Sequence, residues 1–454
     1  MSKQVTIIGG GLAGCEAAWQ LASRGVAVQL WEMRPTRQTP VHRGGGLAEL
    51  VCSNSLKSLD PSSAAGALKA ELARLGSFLL RCAVQARVPA GGALAVDREA
   101  FSELVSAGLT QTGLVELIRA EMDDLHSLLS NGQPAIIATG PMTSDTLASQ
   151  LAELLGGEHL AFFDAAAPIV EADSLDMDRL FAQSRYDKSG ADYLNAPLNR
   201  EQYERLVQEL SQAKRVILRD FETRELFQAC QPVEEVARSG ADTLRHGALK
   251  PVGLTDPHTG QRPWAVVQLR PENRQGSAYN LVGFQTNLSF AEQERVLRLI
   301  PGLEQAVFLR YGVMHRNTFI DAPRLLNASL AWRSHPQLHF AGQVIGTEGY
   351  TEAIGTGLLA ALDTYAQLSG LPAVTLPPQM LLGSLVAYAS NPETSNYQPM
   401  HVNYGIMQPL DPPIRRKSQR YAAYSSRALE AVERFCTEHD QLDFAPPCAL
   451  PEPA

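Results

Sequence analysis

The chain has 454 residues, 45% of them hydrophobic, and a formal net charge of −9. That is enough chain for two or three domains around a large core. No apolar run reaches the ~20 residues that a membrane-spanning helix needs, and the acidity argues against a strongly basic nucleic-acid binder, although a local patch is compatible with it. The chain opens Met1-Ser2-Lys3-Gln4 and goes straight into an apolar run, so no signal peptide is predicted. Cys15, Cys52, Cys82, Cys230, Cys436 and Cys448 are scattered, without CxxC or HxxxH spacing. That pattern predicts free thiols in a cytoplasmic protein, not a structural zinc site.

In chain order, Val5-Thr6-Ile7-Ile8 reads as a buried strand running into Gly9-Gly10-Gly11-Leu12-Ala13-Gly14, with a helix opening at about Cys15. In such a motif Gly9 allows the tight turn and Gly11 lets the backbone approach a pyrophosphate. Gly14 lets the helix press onto the strand. Phosphates would sit at the helix N-terminus, where unpaired N–H groups and the dipole favour negative charge. A second strand, 26–30, delivers Glu32, 18 residues past Gly14. A carboxylate there accepts both hydroxyls of an adenosine ribose and repels a 2′-phosphate.

A second buried strand, 134–138, ends in Thr139-Gly140; in flavoproteins with this opening motif such a strand returns the chain to the cofactor. Later, Leu338-His339-Phe340-Ala341-Gly342-Gln343 is followed by Gly346 and a small-residue helix over 353–363. This resembles the flavin element in which a strand ends in Gly-Asp before a helix N-terminus, with Gln343 in the acid's place. Three cofactor elements predict one FAD domain assembled from separate segments, since NAD alone would need only the first. The predicted fold is α/β: a discontinuous Rossmann-type FAD-binding domain (1–163 and 311–454) with an inserted α+β domain (164–310). Within the insertion, 178–184 and 200–213 have helical spacing, and 216–218, 265–269 and 279–284 read as strands. It holds no second GxGxxG, so a nicotinamide nucleotide has no Rossmann domain of its own. A connector over 370–378, a final amphipathic helix over 417–439 and a frayed tail over 445–454 complete the chain.

Two thiols stand out. Cys52 lies in Val51-Cys52-Ser53-Asn54-Ser55-Leu56-Lys57, where a nearby cation and backbone N–H groups would lower a thiol pKa. Cys230 lies in Ala229-Cys230-Gln231-Pro232. Most single thiols in such proteins are inert small hydrophobes, and the residues alone leave both readings open.

The runs Glu49 to Leu56, Ala138 to Ser144, Phe163 to Val170, Ser184 to Lys188, Leu249 to Leu254, Asn280 to Asn287, His315 to Ile320 and Gly342 to Tyr350 closely resemble the folate- and FAD-dependent tRNA uracil-5-methyltransferases (TrmFO). The matches are in order and run from residue 5 to about 430. The resemblance implies methylation of C5 of a T-loop uridine in tRNA. The carbon would come from 5,10-methylenetetrahydrofolate and the hydride from reduced FAD, recharged by NADH or NADPH. It makes Cys230 the candidate for attack on uracil C6, and Cys52 the candidate for handling the methylene beside the flavin. It places Tyr350 near the flavin and lets His315 stack on the pterin. Lys250 would meet a phosphate or the folate tail.

After Arg34-Pro35 this chain reads His42-Arg43-Gly44-Gly45-Gly46, where the family carries a histidine-rich stretch ending in an acid. A glycine-rich loop there is expected to be more mobile. The tRNA would be met by a basic patch of Arg185, Lys188, Arg316 and Arg415 to Lys417. The oligomeric state is not legible. The alternatives are a FAD-dependent wobble-uridine modification enzyme, a small-molecule NAD(P)H flavin oxidoreductase, and a non-catalytic tRNA-binding flavoprotein.

Overall fold

The computed structural model describes residues 4–39, 42, 44–130, 132–155, 160–165, 167–187, 192–216, 231–273, 275–312, 314–394 and 397–452. Its centre is a six-stranded sheet in which His335–Phe340, Ala135–Ile137, Gln4–Ile8, Ala27–Trp31 and Val115–Ile118 run parallel, and Ala331–Trp332 adds an antiparallel edge. Val5, Ile7, Ile136, Ile137, Leu338 and Phe340 are all buried. Helices cover the sheet, which is why its strands read as continuous apolar runs. The three predicted cofactor strands are therefore adjacent, with the second, Ala135–Ile137, between the other two.

The helix after the first strand spans Leu12–Ala22, opening three residues earlier than the sequence suggests. It packs on the long helix Tyr350–Ser369, which extends the predicted 353–363 in both directions. The two backbones approach so closely that a Cβ on Gly357 would lie 2.2 Å from the Ala13 carbonyl oxygen.

The chain leaves this unit through the strand Leu160–Ala165 and re-enters it through Met314–Phe319, and these two strands pair antiparallel. Between them lies a second six-stranded sheet with its own hydrophobic core, in the order Phe181–Ala182, Leu194–Leu198, Ala265–Pro271, Ala278–Leu281, Ile169–Glu171, Phe308–Arg310. The helix Arg200–Gln212 covers this sheet and starts with a capping box between Asn199 and Gln202. The inserted domain docks on a small sheet of the first unit, where Gly91 N–H donates to Asp192 (2.6 Å) and Tyr193 hydroxyl to Ala90 O (3.0 Å).

Two expectations are corrected. Residues 178–184 are not a helix: a short 3-10 turn over Met177–Arg179 gives way to the edge strand Phe181–Ala182. The Asn195 side chain takes the carbonyls of Phe181 (3.1 Å) and Gln183 (2.8 Å), which a helix would need for itself. The described part of the tail, 445–452, is not frayed. Cys448 N–H donates to Ala73 O (3.2 Å), Arg81 to Pro446 O (3.4 Å), and Phe444 and Leu450 pack on the core. The expected strand over 279–284 stops at Leu281, before a turn at Gly283 (φ +80°). Of the segment 216–218, only Val216 is described; its N–H donates to Asn287 O (2.9 Å). The final helix spans Lys417–Glu438.

Candidate active site in a cleft between the two domains

A cleft of about 430 Å³ runs over the C-terminal ends of the central strands, within the range of small-molecule sites. At one end it is walled by Gly9, Gly11, Leu12, Glu32, Thr139 and Gly140. Gly9 has φ +108°, and a Cβ on Gly14 would lie 1.9 Å from the Gly9 carbonyl oxygen, so neither position accepts a side chain without moving backbone. A Cβ on Gly11 would meet nothing within 4 Å, because Gly11 faces the opening. Gly10, Ala13 and Gly14 form the layer behind this wall, and Gly342 rests on Ala13 with its N–H held by Thr356 Oγ1 (2.9 Å). Thr139 and Thr143 hydroxyls meet at 2.7 Å.

Glu32 is buried at the end of its strand. Its Oε2 accepts from Gly10 N–H (2.9 Å), and its Oε1 accepts from both the backbone and the Nε of Arg34 (3.0 and 2.8 Å). Burial opposes its charge, but the Arg34 guanidinium and the two N–H groups outweigh that and hold the carboxyl below its ordinary range. Arg34 also pairs with Glu49 (2.7 Å), which in turn accepts from Gly44 N–H (3.3 Å). The glycine-rich loop thus has an acid of its own at its exit.

The helices Leu12–Ala22 and Tyr350–Ser369 both start without a side-chain cap, and Gly11, Leu12, Gly349 and Tyr350 line the cleft. Two uncapped helix starts facing an open space that a glycine backbone borders suit a diphosphate-bearing cofactor.

The other end of the cleft is the reacting end. Cys52 lines it, partly exposed, and its N–H and that of Ser53 donate to the Tyr350 hydroxyl (2.9 and 3.1 Å). Burial pushes the Tyr350 hydroxyl above its usual range, and the neighbouring Cys52 adds to that, with Arg98 opposing. Gln343 donates to Glu348 (2.7 Å). Lys57 lines the same cleft and pairs with the buried Glu352 (3.5 Å). From the inserted domain, Arg270 and Gln285 complete the wall. None of the described cysteines forms a disulfide. Cys15 and Cys82 are buried; burial pushes both thiols up, Cys82 to about 12, as suits inert core residues.

Cys230 and Lys188 lie outside the described residues, and so do the side chains of His315 and Arg316. Lys250 is exposed on a surface turn and does not line the cleft. The Arg185 guanidinium donates to Gln268 (2.9 Å), Lys250 O (2.6 Å) and Val252 O (2.9 Å), bracing the turn between strands. Arg415 to Lys417 are exposed at the start of the last helix. The sequence reading missed Arg34, Arg98, Asn54 and Arg270. A charged residue ending the buried run Val266-Val267-Gln268-Leu269-Arg270 was the available signal for the last of these.

This fold and cleft define a dinucleotide-binding α/β protein whose second domain closes the reacting end. The family model described as glucose inhibited division protein A matches residues 4–372. A crystal structure of GidA from Aquifex aeolicus has the same fold, with a TM-score of 0.70 at 15% identity over 97% of this chain and 75% of that one. The methylenetetrahydrofolate–tRNA-(uracil-5-)-methyltransferase TrmFO of Desulforudis audaxviator is 50% identical over 439 residues, covering 96% of this chain and 99% of the relative. That of Geobacter sulfurreducens is 51% identical over 436 residues, covering 96% and 99%. The chain belongs to the TrmFO family. Among the described residues no helix is long and apolar enough to cross a membrane.

Proposed function

We propose that this chain methylates C5 of uridine in tRNA, taking the carbon from 5,10-methylenetetrahydrofolate. The single observation that carries the reading is a thiol, Cys52, set in the wall of a cleft whose far end has the geometry for a dinucleotide. Near-identical length and half-identity to the TrmFO relatives support it.

Uracil C5 is a poor nucleophile. A thiolate adding at C6 turns the ring into an enolate that attacks the methylene carbon; a base then takes the C5 proton and the thiol leaves. A bound FAD, when reduced, would supply one hydride, carrying the two electrons that bring the one-carbon unit to methyl after tetrahydrofolate has left. Gly9 to Gly14, Glu32, Thr139, Gly140, Gly342 and Gln343 would hold that cofactor. Cys230 is the candidate for C6 and Cys52 for the one-carbon unit. Tyr350 holds the Cys52 backbone in place through its hydroxyl. His315 is the candidate to stack on the pterin. NADH or NADPH is the electron source, entering without a Rossmann domain of its own. The target base must leave its stack to reach the cleft, at a cost of a few kcal/mol. The T-loop is the implied site in tRNA, and Arg415 to Lys417 remain candidates for phosphate contacts. If they serve, tRNA affinity falls with salt in proportion to the phosphates neutralised.

The test is direct. The purified protein is mixed with unmodified tRNA, labelled methylenetetrahydrofolate and NAD(P)H, and label at uridine C5 is assayed. Label from the folate is expected. Transfer from S-adenosylmethionine in its place would sink the reading.

A further inference from the structure

Near the reacting end two guanidiniums, one buried and one partly exposed, share a single buried acid. Arg98, at the start of the helix Arg98–Gln111, and Arg270, on the strand Ala265–Pro271, come together there from the two domains. The acid beside them is Glu272, only 7% exposed. Its Oε2 lies 2.8 Å from Arg98 Nε. Among the described residues, Glu272 Oε1 and Arg98 Nη2 have no hydrogen-bond partner.

Arg270 is itself buried, at 7% exposure, and lines the cleft. Its Nε donates to Asn54 Oδ1 (2.9 Å). Asn54, two residues beyond Cys52, is fully buried and donates in turn to Pro271 O (3.0 Å) and Val96 O (3.1 Å). The guanidinium is thus clamped to the loop that carries the thiol. Arg98 grips the same loop through Leu50 O (2.7 Å).

Three other charged groups near this loop are paired, and the Tyr193 hydroxyl lies against Arg270. Lys57 is paired with Glu352 (3.5 Å), Glu348 accepts from Gln343 (2.7 Å), and Glu49 is paired with Arg34 (2.7 Å). The Tyr350 hydroxyl, raised by burial, is neutral across the physiological range. A buried cation in excess is costly unless an anion meets it.

We propose that Arg270, together with Arg98, is the electrostatic counterpart of Cys52: the two guanidiniums supply the positive charge that keeps this sulfur a thiolate, its proton going to solvent. Arg270 is in this sense a positioning residue that acts through Cys52, and it makes the reactivity of the thiol depend on the docked inserted domain. The inference rests on reading Cys52 as a reactive sulfur, and not on the identity of the substrate.

The test is alkylation of the full-length protein as purified, by iodoacetamide, across the range of about pH 5 to 9, with each cysteine peptide read by mass spectrometry. Arg270→Met is expected to raise the Cys52 midpoint by about one pH unit, which slows its alkylation roughly 10-fold at pH values below both midpoints. Arg270→Lys is expected to restore most of the difference. Glu272→Gln removes the acid and is expected to move the midpoint the opposite way, a change that general loosening of the loop does not produce. Cys436 and Cys448 should stay where they are in all three. An unmoved Cys52 midpoint in Arg270→Met and Glu272→Gln overturns the proposal. Should Arg270→Met fail to fold in a thermal melt, Glu272→Gln decides: a downward shift supports the proposal, and none, or an upward one, overturns it. Carbon transfer to tRNA is assayed separately. Absent transfer with the expected midpoint shifts removes the proposed function and leaves this inference standing.

Discussion

The two ends of the cleft are built in opposite ways. The dinucleotide end is centred on one short stretch of chain, where Gly9 to Gly14 and Glu32 are joined by a hydrogen bond across 22 residues, with Thr139, Gly140 and Gly342 added from neighbouring strands. The reacting end joins Cys52 to Tyr350 across 298 residues and Asn54 to Arg270 across 216. The first is shaped mainly by backbone, where a missing Cβ decides what fits. The second is shaped by side chains that converge only after two domains have packed. A site of the first kind survives most side-chain changes, and one of the second kind can lose its chemistry while keeping its fold.

Substitutions separate the two ends, and the largest effect is expected from Cys52→Ala. It should lower carbon transfer to tRNA by about 10³-fold or more while the protein keeps its flavin, read by label transfer and by absorbance. Gly14→Val attacks the other end. With a Cβ position 1.9 Å from the Gly9 carbonyl oxygen, it should cost about 3 kcal/mol of stability and strip the flavin. A thermal melt and the flavin content check this, and a variant that stays yellow and stable contradicts the backbone account. Tyr350→Phe removes the acceptor for the Cys52 and Ser53 N–H groups, a loss of about 1–3 kcal/mol in loop order. Carbon transfer should fall roughly 10-fold with flavin content unchanged. Equal losses of flavin and activity would show that the two ends are not separable.

The smallest effect is a pH dependence at the dinucleotide end. Glu32 sits below its ordinary value of 4.5 in the folded chain. Its contribution to stability is therefore present above the unfolded value and is lost as pH falls below 4.5 through the folded one. Melting temperature should drop on acidification more in the parent than in Glu32→Gln. A parallel drop in both would remove Glu32 from the account.

How much was legible follows the same division. The first strand, the glycine turn, Glu32 and the helix Lys417–Glu438 are local patterns, and the structure places them within a few residues of where they were read. The apolar spacing within 178–184 suits a helix, yet the Asn195 side chain captured the carbonyls and made an edge strand. The tail reads as loose because its partners, Ala73 and Arg81, lie some 370 residues away in the chain (448 − 73 = 375 and 446 − 81 = 365).

By itself the sequence determined the parts whose geometry depends on neighbours in the chain: a strand, a turn that only glycine permits, a helix start open to phosphate and a carboxylate one strand away. These rest on sterics within one strand–helix–strand unit, so consecutive residues specify them. Which distant cation grips the loop that carries Cys52 was decided by tertiary structure alone. Lys57 is near in sequence but is taken by Glu352, whereas Arg270 arrives from another domain. Charge acts through space and a buried charge settles where the packed fold leaves an opposite one unmatched, so nearness along the chain could not identify it.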